Sequence, residues 1–192
     1  LKDKLTWGLK KLNIPELWEK TKGTDIKVAV IDSGIDVDHP DLTVLGGRRF
    51  YTRGPRLKED SNYDDDYGHG THVAGIATNN NPYADVLVAR ITFDHHVIPE
   101  PATVEVAEKA AKNYMETVKY FQANNVRVVN MSWGWTLKEI EGMLEANGIG
   151  KDAEERSQLT RKIFDIYKDG LYNAIKSALE ILFIISFRGM YK

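Results

Sequence analysis

Four short runs rich in Val, Ile and Leu constrain this chain more than any other feature. They are KVAVID at Lys27–Asp32, DVLVARIT at residues 85–92, VRVVNMS at residues 126–132 and ILFIIS at residues 181–186. Three of the four are nearly continuous in branched apolar residues rather than alternating with polar ones. Strands of that kind are buried on both faces, as in a parallel sheet. A parallel sheet needs helical crossovers, and the intervening segments supply them. Val104, Ala107, Ala111, Tyr114, Val118 and Phe121 recur at three- and four-residue spacing, and Asn124-Asn125 closes that helix. Thr136 caps a second helix that ends at Asn147-Gly148. A third helical pattern covers residues 153–179, where Gly170 predicts a break into two helices. HGTHVAGIAT at His69–Thr78 reads as a short helix. Residues 46–62, rich in Gly, Arg, Lys and Asp, read as an exposed loop. Strands alternating with helices give an α/β class: three layers with a mostly parallel central sheet flanked by helices.

At 192 residues, one domain fits better than two. A domain of that size buries roughly 70% of the surface its unfolded chain exposes, enough for a real core. Lys and Arg total 26 against 28 Asp and Glu, a net charge of -2, which argues against a nucleic-acid partner or attraction to a membrane. No run is long enough to span a bilayer, and no segment reads as a signal peptide. The absence of cysteine excludes disulfides, thiolate catalysis and thiolate metal sites. Leu1 stands where an initiator Met would be, so a piece of a longer product is expected.

The chemistry concentrates in two stretches. VAVIDSGID places Asp32 at the carboxyl end of a central strand, where sites of open α/β sheets form. Asp32 either caps the following turn or presents a carboxylate to a site, and this stretch alone does not choose. His69 follows 37 residues later, flanked by Gly68 and Gly70 and preceded by three aspartates in DDDYGHGTHVAGI. It could be a base, a ligand or a filler. His69, His72 and the aspartates have the composition of a metal site. However, zinc-protease helices carry His-Glu-x-x-His, and the spacing here is His-Gly-Thr-His with no Glu between. Asp94-His95-His96 sits before the Pro99/Pro101 stretch and reads as a solvated loop.

Taken together and in order, VAVIDSGIDVDHPDL and GHGTHVAGI resemble the subtilisin-like serine peptidases. WGLKKLNIPELW is similar to the family's N-terminal segment, and NMSWG at residues 130–134 to its substrate-binding strand. The resemblance is strong over residues 6–134 and looser up to Ser186. It implies Asp32 as the carboxylate and His69 as the base of an Asp/His/Ser triad. It implies that Ser132, Trp133 and Gly134 present backbone to an extended peptide substrate by strand addition. Trp133 then borders a substrate pocket, unless its ring belongs to the core. No cofactor is required. Calcium is the one ion the family suggests, with Asp41 in HPDL as a candidate ligand. Calcium takes six to eight oxygens, though, and the loop that supplies several of them in the family is shortened here, where THVAGIATNNNPYAD runs almost straight into the next strand. A secreted or periplasmic location is what the resemblance implies.

The triad's third member is missing. Ser33, Ser61, Ser132, Ser157, Ser177 and Ser186 are the serines, and none stands in the family's Gly-Thr-Ser-Met-Ala context. Nor does ILFIIS run on into the Ala-Gly-Asn whose Asn serves the oxyanion. It runs into Phe187-Arg188-Gly189. The expectation is therefore a C-terminally truncated peptidase domain over residues 1–192, with a helical insertion at about residues 135–168. Such a chain is inactive alone, and its natural complement is the missing C-terminal part. The competing expectation is a non-catalytic peptide-binding module on the same scaffold. Cleavage preference and oligomeric state are not legible in the sequence.

Overall fold

The computed structural model describes residues 7–51, 58–78, 85–91 and 102–186. Two short helices come first, α1 (Trp7–Lys11) and α2 (Ile14–Lys20), neither with a buried residue. Then follow β1 (Lys27–Asp32), β2 (Val44–Tyr51), β3 (Lys58–Asp60), α3 (His69–Thr78), β4 (Asp85–Ile91), α4 (Val104–Ala123), β5 (Val126–Met131), α5 (Leu137–Ala146), α6 (Ala153–Lys176) and β6 (Leu182–Ile185). The six strands form one sheet in the order β3-β2-β4-β1-β5-β6. Only β3 runs antiparallel to its neighbour. This is the expected three-layer arrangement, and β1 lies inside the sheet between β4 and β5.

Alternation along the strands divides the core in two. Ala29, Ile31, Ala89, Val129 and Met131 face α4, whose Ala107, Ala110, Tyr114, Val118 and Phe121 are buried against them. Val30, Val86 and Val88 face the other way, with Ile35 and with Ala74 of α3. Neighbouring parallel strands in register point opposed side chains to one face. Asp32 is the partner of Arg90, so both continue the face of Val30 and Val88, the face that α3 covers.

Three expectations need correction. Residues 46–62 are not wholly a loop, since β2 and β3 fall within them. The Gly-Gly-Arg-Arg run looks like loop chemistry, yet it is strand. Phe50 is buried, and Gly47 leaves room for the ring of Tyr63, which an added Cβ would meet at 2.6 Å. Gly170 does not break a helix, because α6 is continuous across it. A Cβ there would lie 2.3 Å from the Cβ of Ala111, so the glycine serves the close approach of α6 to α4. The helical pattern at residues 153–179 ends earlier than read, with Ser177 capping α6. Residues 94–101 lie outside the described residues.

The segment at residues 135–168 is part of the main core. Ile140, Leu144 and Ile163 are fully buried, and Trp135 meets Tyr167 at 5.7 Å between ring centroids. Thr136 caps α5 with a reciprocal capping box through Glu139. At the far side, β6 is an edge strand among the described residues. Its Phe183 and Ile185 pack inward, while Leu182 and Ile184 are exposed.

Candidate active site

β1 delivers Asp32 to the carboxyl edge of the sheet, where it is 5% exposed. Its Oδ1 accepts the N–H of Ser33 at 2.8 Å. The same oxygen lies 2.8 Å from Nδ1 of His69, the first residue of α3. A carboxylate only accepts, so Nδ1 carries the hydrogen and the neutral ring presents a bare Nε2. The His69 side chain is 45% exposed against 4% for Asp32, and Nε2 has no partner among the described residues. A buried carboxylate thus orients an imidazole whose free nitrogen faces outward.

Two glycines make this approach sterically feasible. A Cβ on Gly70 would stand 2.2 Å from the carbonyl oxygen of Gly34, so α3 can cross the Asp32 turn only with glycine there. Gly34 itself has φ +127, and a Cβ would press on the carbonyl oxygen of Asp64 at 2.6 Å.

The start of α3 is fixed by Asp65. Its Oδ1 accepts the Ser33 hydroxyl at 2.8 Å, the Gly68 N–H at 2.9 Å and the Tyr67 N–H at 3.2 Å. Its Oδ2 accepts the N–H and the hydroxyl of Thr71 at 2.9 and 2.5 Å. Ser33 Oγ in turn accepts the Gly70 N–H at 2.9 Å, and Thr71 Oγ1 accepts the Asp36 N–H at 2.9 Å. Partial burial pushes the Asp65 carboxyl up. The donors from Thr71, Gly68 and Ser33 outweigh it and bring it down to about 2. One carboxylate therefore binds the turn after β1 to the first turn of α3, the two segments that carry Asp32 and His69.

The other aspartates of the run are also engaged. Asp64 Oδ1 accepts the Asp65 N–H, and Asp66 Oδ2 pairs with the guanidinium of Arg90 at 2.7 Å. His72 is exposed on α3. No group of three or more His, Asp or Glu side chains is placed to hold a metal ion among the described residues. Asp41 sits exposed in a turn, its N–H donating to Nδ1 of His39 at 3.2 Å. Asp41 belongs to no group of three or more His, Asp or Glu side chains that could hold an ion among the described residues.

Residues 132–134 leave β5 beside the end of β1. Ser132 Oγ accepts from Asn130 Nδ2 at 2.9 Å. The Trp133 ring packs inward, stacked on Tyr114 at 5.5 Å between centroids, and its Nε1 donates to the carbonyl of Ile31 at 2.7 Å. Ile31 immediately precedes Asp32, so the indole completes hydrogen bonding at the end of β1 where β5 has stopped. Sequence reasoning named Asp32 and His69 but missed Ser33, Asp65, Thr71 and Arg90. A charge inside the apolar run DVLVARIT was the available signal for Arg90.

Comparison with known proteins identifies the family and the fold. The profile of the Subtilase family matches residues 23–187. The major intracellular serine protease of Bacillus subtilis is 43% identical over 101 residues, covering 46% of this chain and 31% of that protein. Subtilisin E of the same organism is 35% identical over 134 residues, covering 67% of this chain and 32% of its own length. The chain thus spans about a third of these curated relatives. Among solved structures, the crystal structure of MycP1 from the ESX-1 type VII secretion system superposes with a TM-score of 0.58 at 16% identity. That match covers 93% of this chain and 44% of that one, and it speaks for the fold.

Proposed function

The chain belongs to the Subtilase family, and from that premise we propose that it carries two of the three catalytic side chains of a serine endopeptidase. The family and its curated relatives are serine proteases, whose substrates are peptides or proteins. In the reaction proposed for this chain, Nε2 of His69 takes the proton of a serine hydroxyl as that oxygen attacks the peptide carbonyl. It then passes the proton to the leaving amine. Asp32 holds Nδ1–H, keeps the reactive tautomer and stabilises the imidazolium formed between the two steps. Proton transfer by these side chains needs no cofactor. The observation that carries the reading is the 2.8 Å contact between a buried carboxylate and a half-exposed imidazole with its second nitrogen open.

Ser132 and Gly134 present backbone to an extended peptide on this reading, and Trp133 supports that strand from below. The serine nucleophile and the oxyanion donor come from a further segment of the same domain. The exposed Leu182 and Ile184 on β6 favour that view, because an apolar edge strand is where a sheet continues. The segment at residues 135–168, which holds α5 and most of α6, is an addition to the peptidase scaffold, with α6 packed onto α4 and α5 onto α6. Relatives bear both intracellular and extracellular names, so family membership alone does not fix a compartment.

A fluorophosphonate probe, which marks activated serines, tests the proposal. The chain alone should remain unlabelled. The product of a gene continued past Lys192 into a Gly-Thr-Ser-Met-Ala segment should be labelled there, and His69→Ala should abolish the labelling. Labelling of a serine within residues 1–192 would refute the division of the triad. An unlabelled continued product would favour a peptide-binding module instead.

A further inference from the structure

We propose that Arg90 is a positioning residue for the Asp32–His69 pair, acting through the turn that starts α3. Arg90 is 4% exposed at the carboxyl end of β4, directly beside Asp32 in the sheet and on the same face. A buried arginine is rare unless it is paired. One arm of its guanidinium, Nη2, reaches the carboxylate of Asp66 at 2.7 Å, and the other, Nη1, donates to the carbonyl oxygen of Asp64. The fork therefore grips the chain on both sides of Asp65. Asp65 is the residue whose carboxylate accepts the Gly68 and Thr71 N–H groups and so sets where α3 begins. His69 lies within that first turn.

The pair depends on such external support. Asp32 Oδ2 is buried without a hydrogen-bond partner among the described residues, so the carboxylate is held through Oδ1 alone. Its fit to His69 then rests on how firmly α3 is placed. The charged groups brought to this junction include Asp32 on β1, Arg90 on β4, its register partner Arg49 on β2, His69 on α3, and Asp64, Asp65 and Asp66 on the turn. Arg90 is the cation whose fork bonds the turn on both sides of Asp65. A planar fork with fixed geometry can hold two acceptors at once, which a lysine ammonium on a flexible stem does less well.

The inference rests on reading Asp32 and His69 as an acid–base pair, but its test reads the pairing and not hydrolysis. Failure here and failure of probe labelling are therefore separate results. The observable is the Nδ1–H proton of His69, followed by NMR in the 15N-labelled chain at neutral pH. In the unaltered chain it should be a downfield, slowly exchanging resonance. Arg90→Met keeps an unbranched apolar stem in the buried site and removes only the cation, and Asp66, 52% exposed, can be hydrated in its absence. It should speed exchange of that proton about tenfold or more, equal to about 1.4 kcal/mol, while β1 and β4 amides keep their protection. Arg90→Lys should not restore slow exchange. Asp66→Asn, at a half-exposed site, should reproduce the effect and decides the matter if Arg90→Met opens the sheet. Unchanged exchange in Asp66→Asn, or full rescue by lysine, would overturn the proposal. Absence of the resonance from the unaltered chain would overturn it together with the pairing itself.

Discussion

Replacing Asp65 with asparagine should destabilise the chain in a way that depends on pH. The carboxyl has an ordinary value of 3.8 and stands at about 2 in the fold. At about 1.36 kcal/mol per unit, the depression corresponds to roughly 2.5 kcal/mol of preference for the ionised form. Asp65 is only half-buried, so water screens part of this, and about 1–1.5 kcal/mol is a realistic share. A folded value below the unfolded one means the unfolded state binds the proton more readily. The contribution is therefore complete above the unfolded value and is lost as pH falls through the folded one. The working window runs from about pH 4 down to about pH 2.

Urea titrations of the unaltered chain and Asp65→Asn across that window give the test. At neutral pH the variant's midpoint should fall by about 0.3–1.5 M, for a denaturant slope of about 1–3 kcal/mol per molar. The gap should close toward pH 2, because a protonated carboxyl and an amide then offer the turn much the same groups. A gap that persists unchanged at low pH would show that Asp65 acts through shape or packing. The account of its charge anchoring α3 would then fail.

Two further substitutions probe the frame around the site. Gly170→Ala should cost about 1–3 kcal/mol by overpacking against Ala111, although alanine is the better helix former by about 1 kcal/mol. Adding Ala111→Gly should recover much of the loss in urea melts, and a stabilising Gly170→Ala would refute the close-approach argument. The apolar edge strand β6 should make the chain self-associate in sedimentation, and Leu182→Lys with Ile184→Lys should reduce that association while shifting stability by no more than about 0.5 kcal/mol. Unaltered association would mean that β6 is not the sticky surface.

The legible parts of this chain were those where local chemistry and tertiary role agree. KVAVID ends at Asp32 because Ser33-Gly34 turns the chain, and the strand is observed over those same residues. HGTHVAGIAT is likewise the helix that was expected. The misread parts are those where a long-range partner reverses the local meaning. Gly46-Gly47-Arg48-Arg49 has loop composition, but pairing of β2 with β4 makes it strand. Gly170 has the look of a breaker until Ala111 is seen against it. The three aspartates resemble a ligand set, yet their acceptors are spent on the N–H groups of the turn, on Thr71 and on Arg90, none of which sequence spacing reveals.

The site is assembled almost entirely from segments close in the sheet: the end of β1, the turn before α3 and the end of β4. None of its supporting hydrogen bonds, from Ser33, Asp65, Thr71 and Arg90, reaches α5, α6 or β6. Among the described residues, support from farther along comes from the Trp133 N–H on Ile31, just after β5. The acid–base half of the proposed machinery can therefore form without the nucleophile's segment. On the proposed function, absent hydrolysis in this chain has two separable causes, a missing reactant or a collapsed pair. No serine is labelled in either case, but an intact pair keeps the His69 Nδ1–H protected and a collapsed pair does not.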